Sequence, residues 1–244
     1  DFSAAGLQRG GTKGSGTRSS LLWECERAIA AKSPKYLLFE NVAALVSQKF
    51  IRLFNEWQLL LERMGYTNFT QVLNAKDYGV PQNRERVFMV SVRDCEQAYY
   101  FPKTAPLTKN INDILEDNVS KEYYLSERMI DYVYSEGGKN GGYKPARGVQ
   151  DGNKPALALT ANYAKTPRQA NYVKDQYGIR KLTPKECFRL MGVKDTNSDK
   201  IIAVLSKSRC YQVAGNSIVV DVLAAIFDQL FNGNKNKNQQ TELF

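Results

Sequence analysis

Tyr36-Leu37-Leu38-Phe39-Glu40-Asn41-Val42 carries the most informative pattern in the chain. Four apolar residues in a row, Tyr36 to Phe39, predict a short strand. The lack of alternation predicts burial on both faces of a parallel sheet. Glu40 and Asn41 follow at once, and polar side chains at the carboxyl end of a buried strand stand where open α/β sheets hold ligands. A plainer reading stands beside it, in which Glu40 ends the strand and caps the next helix.

On either side of this stretch the pattern is that of an α/β protein. Residues 21–31 (LLWECERAIAA) predict a helix with Leu22, Ala28 and Ile29 on one face, stopped by Ser33-Pro34. Residues 48–64 predict a second amphipathic helix ending at Gly65, and 69–73 and 87–92 predict strands. The order strand–helix–strand–strand predicts a sheet with an antiparallel end. Gly6 to Gly16, rich in Gly, Ser, Thr and Lys, reads as a mobile basic loop. From Asp94 to Gly178 the pattern breaks into short apolar segments among glycines, with one helical stretch from Glu127 to Tyr134. Thr183-Pro184-Lys185-Glu186 then opens a helix with Thr as N-cap, Pro at the first position and Glu at the third. Val219 to Phe231 predicts a last amphipathic helix, and the Asn/Lys/Gln-rich tail after Asn232 reads as frayed.

The chain has 244 residues, 43% apolar and 24% charged, a globular composition with enough length for a sizeable core. Its net charge of +9 points to a polyanionic partner, with nucleic acid ahead of membrane. The surplus lies entirely in residues 1–93 and 180–244; residues 94–179 carry as many acidic as basic side chains. With no histidine, Ser-His-Asp and Cys-His catalysis and His-ligated zinc are excluded. Cys25, Cys95, Cys187 and Cys210 are too far apart for a Cys-x-x-Cys pair, so neither a disulfide framework nor a metal site is expected, and a reducing cytosol fits. No run approaches 18 apolar residues, so neither a signal peptide nor a membrane span is expected.

Two further segments carry polar chemistry. In Gln82-Asn83-Arg84-Glu85-Arg86, an extended backbone puts Arg84 and Arg86 on one face, where two guanidiniums call for an anion or a base edge between them. Salt bridging to Glu85 or Asp77 is the alternative. Gly215-Asn216-Ser217 precedes the last helix, with Asn216 or Ser217 as its N-cap; such a turn suits close approach of a cofactor or capping alone.

In order and context these segments resemble the DNA (cytosine-5) methyltransferases. Asp1-Phe2-Ser3-Ala4-Ala5-Gly6 is similar to the sequence that follows the family's catalytic Pro-Cys-Gln. Glu40-Asn41-Val42 matches its Glu-Asn-Val motif, and Gln82 to Arg86 its Gln-x-Arg-x-Arg motif. Arg180-Lys181-Leu182-Thr183-Pro184, with Glu186, Arg189, Leu190 and Gly192, resembles the segment after the target-recognition region. Tyr211-Gln212-Val213-Ala214-Gly215-Asn216-Ser217 resembles the final motif.

The resemblance implies an incomplete Rossmann-like, S-adenosylmethionine-dependent α/β fold with an inserted small target-recognition region. Residues 1–93 would be part of the catalytic domain, 94–179 the target-recognition region, 180–231 the return to the catalytic domain and 232–244 a flexible tail. It implies a cytosine flipped out of double-stranded DNA, attack of a cysteine thiolate on C6, and methylation of C5. Glu40 would bond the N3 and amine edge of the base, protonated through burial. Arg86 would hold O2, with Arg84 in support. Ser3, Arg18, Asn41 and Gln82 would lie on the DNA side, and Asn216 and Ser217 in the S-adenosylmethionine pocket. The nucleophilic cysteine is expected three residues before Asp1, which reads as a cut edge, so residues 1–244 alone are expected to be inactive. The missing amino-terminal part would come from the same chain or from a separate subunit, and the Tyr36–Phe39 strand would be left as an open sheet edge. The enzyme is expected in the cytoplasm, at DNA. A second reading keeps the scaffold without the chemistry, as a DNA-binding or regulatory subunit; a third is an RNA methyltransferase.

Overall fold

A computed structural model of the chain describes residues 13–14, 16, 18–134, 149–150, 152–163 and 171–233. Two compact units divide it. One comprises residues 1–73, 85–102 and 228–244, and the other residues 74–84 and 103–227. These units cut across the zones drawn from composition: residues 74–84 leave the first zone, and residues 180–227 group with 103–179.

The first unit is built on a three-stranded sheet in the order β1 (Tyr36–Val42), β4 (Glu85–Arg93), β2 (Tyr66–Asn74). Helices α1 (Leu22–Lys32) and α2 (Ile51–Arg63) supply its core, in which Ile29, Phe54, Trp57 and Leu61 pack with Leu45, Phe50, Tyr66, Val87 and Met89. Ser33 in the left-handed region (φ 43°) stops α1, as Ser33-Pro34 predicts. Gly65 (φ 85°) follows α2 and lets the chain turn into β2.

Two expectations for the stretch from Tyr36 to Val42 are corrected. β1 runs antiparallel to β4, from Tyr36 opposite Val92 to Val42 opposite Arg86, and pairs with no parallel strand among the described residues. Among the described residues it is an edge strand, the open edge expected of it, with Tyr36 42% exposed and not buried on both faces. The strand buried on both faces is β4, where every residue from Val87 to Val92 is buried. Pairing with β4 carries β1 three residues beyond Phe39, so Glu40 and Asn41 lie within the strand and do not cap a helix.

The second unit holds β3 (Gln82–Asn83) paired in parallel with β5 (Ala156–Leu157), and the antiparallel hairpin of β6 (Tyr172–Asp175) and β7 (Gly178–Lys181). It also holds the helices α3 (Glu127–Tyr134), α4 (Pro184–Arg189), α5 (Asp195–Val204) and α6 (Lys207–Asn216). Helix α7 (Val220–Phe231) begins in this unit and ends in the first. The Thr183–Glu186 capping box forms as the sequence predicts, with both reciprocal hydrogen bonds present. Glu186 is fully buried and also takes both terminal nitrogens of Arg180, each at 2.8 Å. Residues 207–231 are the one candidate membrane span among the described residues by length and composition. That run is two helices, because Ser217 is extended (ψ 159°), and each is shorter than the roughly 20 residues a span needs.

Candidate active site

In the first unit the cross-strand register brings Glu40 and Arg86 together. Arg86 stands opposite Val42, so Glu40 is its diagonal neighbour, within reach of two long side chains. Arg86 Nε lies 3.1 Å from Glu40 Oε1, and the two side chains are 19% and 18% exposed. Arg86 Nη1 also donates to the Glu85 carbonyl at 2.7 Å. Burial pulls the Arg86 guanidinium below its ordinary proton affinity and the Glu40 carboxylate opposes this, so the cation persists. The pair is screened from bulk water yet keeps a reachable edge. It offers a carboxyl and a planar donor fork side by side, which suits a heterocycle presenting donors and acceptors along one edge. Asn41 turns its Oδ1 onto the Val42 backbone N–H at 2.9 Å.

The Gln-x-Arg part of the second segment behaves differently. Gln82 is fully buried in the second unit, where Nε2 donates to the Leu190 carbonyl at 2.6 Å and Oε1 accepts from the Leu159 N–H at 2.9 Å. A DNA contact by Gln82 is therefore corrected to an internal one: the side chain has no surface left to offer. Arg84, 3% exposed, donates Nη1 to the Leu159 carbonyl at 2.8 Å and Nη2 to the carbonyls of Gly215 and Ser217, both at 3.0 Å. Backbone carbonyls thus stand where an anion was expected beside it.

Asn216 and Ser217 are not the N-cap of the last helix. Asn216 is the final residue of α6, a helix the sequence reading missed, and Ser217 is its C-cap, with Oγ donating to the Val213 carbonyl at 2.7 Å. The two residues line, with Arg209, Gln212 and Val213, an open depression of about 370 Å³. Gly215 is obligatory here, because a Cβ would lie 2.3 Å from the Thr160 carbonyl carbon. An exposed Asn216 amide beside a helix end suits the polar groups of a nucleoside-like ligand, so the depression has the chemistry of one wall of a cofactor pocket.

Ser3 and the side chain of Arg18 lie outside the described residues, as does most of the basic loop between Gly6 and Gly16 and the tail from residue 234. Cys187 and Cys210 are buried, and burial pushes both thiols up, Cys187 well above the ordinary range. That is the reverse of what a nucleophilic thiolate needs.

Solved methyltransferases share this fold. The Schizosaccharomyces pombe Dnmt2 methyltransferase superposes with a TM-score of 0.72 at 19% identity, covering 89% of this chain and 74% of its own. The Entamoeba histolytica methyltransferase EhMeth gives 0.67, also at 19% identity, covering 88% and 69%. The fold is thus the mixed α/β fold of those two structures. The model of the C-5 cytosine-specific DNA methylase family matches residues 1–232, and the chain belongs to that family.

Among curated relatives, the type II methyltransferase M2.ScrFI of Lactococcus lactis subsp. cremoris is 41% identical over 239 residues, 95% of this chain and 64% of the relative. The orphan methyltransferase M.SssI of Spiroplasma monobiae is 36% identical over 94% of this chain and 63% of its own length. The type II methyltransferase M.Bsp6I of Bacillus sp. is 36% identical over 94% and 75%. The chain therefore spans just under two thirds of the length of the first two.

Proposed function

We propose that the chain is part of an enzyme that methylates C5 of cytosine in double-stranded DNA, and that Glu40 and Arg86 receive the target base. The observation that carries this reading is their pairing at 3.1 Å with about one fifth of each side chain still exposed. A base stacked in the duplex cannot reach such a recess, so the cytosine would enter flipped out of the helix. Its N3 and amine edge would take Glu40 and its O2 would take Arg86, hydrogen bonds to the base replacing the ion pair.

The C5 carbon of cytosine is a weak nucleophile. Addition of a cysteine thiolate at C6 forms an S–C6 bond and moves electron density to C5. Glu40, taking up a proton from solvent as its ion pair with Arg86 gives way to the base, would donate it at N3 and assist that addition. After C5 has gained the methyl group, loss of the C5 proton and expulsion of the thiolate restore the ring. Asn216 and Ser217 would hold part of S-adenosylmethionine, which would supply the methyl group. None of the four cysteines follows a proline or precedes a glutamine, and two are sequestered with raised thiols. We therefore place the nucleophile outside residues 1–244, in a Pro-Cys-Gln segment of the same chain or of a partner subunit. The positive surplus suits a DNA backbone, and the setting is the cytoplasm, at DNA. A purely DNA-binding role leaves the Glu40–Arg86 pair without a purpose.

Co-expression of residues 1–244 with a segment ending in Pro-Cys-Gln should give methyl transfer to duplex DNA in a single-turnover assay, with residues 1–244 alone inactive. Transfer by residues 1–244 alone would overturn the placement of the nucleophile, and transfer to tRNA in preference to duplex DNA would overturn the substrate.

A further inference from the structure

The expected pair of guanidiniums divides its labour. Gln82 and Arg84, two residues apart on an extended strip, point to the same side and grip Leu159 by both of its backbone groups. Gln82 Oε1 takes the N–H at 2.9 Å and Arg84 Nη1 the carbonyl at 2.8 Å. Gln82 Nε2 holds the Leu190 carbonyl at the end of α4, and Arg84 Nη2 holds both Gly215 and Ser217 across the end of α6. A helix C-terminus leaves carbonyls without intrahelical partners, and a buried guanidinium is a strong donor for them. The residue between those two carbonyls is Asn216, whose side chain lines the open depression.

From this arrangement we propose that Arg84 is a positioning residue for S-adenosylmethionine. It fixes the turn that presents Asn216 and Ser217, and it touches neither the target base nor a DNA phosphate. The inference rests on the reading that this turn forms part of the cofactor pocket. Gly215 adds to the same purpose, since only a residue without a Cβ lets the turn lie against the Thr160 backbone.

The test uses protein that methylates DNA, with the segment carrying the nucleophile present. Arg84→Lys keeps the charge but cannot bridge three carbonyls. Charged hydrogen bonds of this kind are worth enough that losing part of the bridge should weaken S-adenosylmethionine binding on the order of tenfold by calorimetric titration. The DNA dissociation constant should keep its dependence on salt. A phosphate contact would instead flatten that logarithmic slope by about one unit, and such flattening overturns the proposal whatever the cofactor result. Asn216→Ala separates the inference from the reading beneath it. Weaker cofactor binding in Asn216→Ala with none in Arg84→Lys removes the positioning role and leaves the pocket standing; no change in either removes both. Hydrogen exchange on the wild type keeps the question decidable if Arg84→Lys does not fold. Cofactor should slow exchange of the amides of Leu159 and of Gly215 to Ser217, and unchanged rates there would also overturn the proposal.

Discussion

Replacing Glu186 with glutamine strikes the most heavily used buried side chain of the second unit. Each carboxylate oxygen takes two donors: Oε1 from Arg180 Nη2 and the Glu116 N–H, both at 2.8 Å, and Oε2 from Arg180 Nη1 at 2.8 Å and the Thr183 N–H at 2.7 Å. A glutamine amide keeps one oxygen and turns an NH2 group toward two donors, so two hydrogen bonds and the charge are lost together. Arg180, 1% exposed, is then left as a buried cation whose remaining anionic partner is Asp175 at 2.9 Å. Breaking one side of a buried pair costs about 3–5 kcal/mol. The surviving Asp175 contact places the expected loss near 3 kcal/mol, which lowers the melting midpoint by roughly 6–12 °C for a domain of this size. Circular dichroism melts and urea titrations of Glu186→Gln measure it directly. The double variant Arg180→Met/Glu186→Met should lose less than the single one, since no charge is stranded. A loss below about 1 kcal/mol in Glu186→Gln would refute the reasoning.

Three other outcomes follow from the same structure. Asp175 is held below the ordinary carboxylate range, because hydrogen bonds from Tyr124, Tyr177 and Arg180 together outweigh the upward push of burial; Asp195 is held down chiefly by Arg189. Depressed values in the folded state stabilise above the unfolded pKa of about 3.9 and lose that contribution as pH falls through the folded value, so the unit should soften in acid titrations below about pH 4 and not between pH 5 and 8. A thiol reagent should label exposed Cys25 first, and Cys187 and Cys210 at the pace of unfolding, with fast labelling of all four contradicting the burial. Gly192→Ala should cost about 1–2 kcal/mol in a melt: its φ of 72° strains an alanine, whereas the Asp221 carboxylate in the way of a Cβ can swing aside.

Local signals were legible in the amino-acid sequence, and long-range ones were not. The Thr183–Glu186 capping box and the Ser33 stop are written within a few residues, and both form. Glu40 stood out as a candidate because a carboxylate so close to an apolar run is costly without a partner, and the structure pairs it with Arg86. Its place inside β1 was not, since that depends on pairing with β4 nearly fifty residues on. The roles of Gln82 and Arg84 were hidden for the same reason: their partners lie 75 to 133 positions along the chain. Helix α6 was not legible, because its last residues Gly215 and Asn216 are weak helix formers and suit a turn. It forms around the buried residues Cys210, Tyr211 and Ala214, with Ser206 capping its start and Arg84 bonding its end.

Glu40 is proposed to act on the target cytosine, beyond serving as a salt-bridge partner for Arg86. Glu40→Gln keeps the shape and an oxygen facing Arg86 but cannot supply the proton. Single-turnover methyl transfer to a cytosine-containing duplex, at saturating DNA and S-adenosylmethionine and with the nucleophile-bearing segment present, is the most direct measurement. The rate of Glu40→Gln should fall by about 10²–10⁴-fold with the melting midpoint little changed. Transfer at the wild-type rate would contradict it.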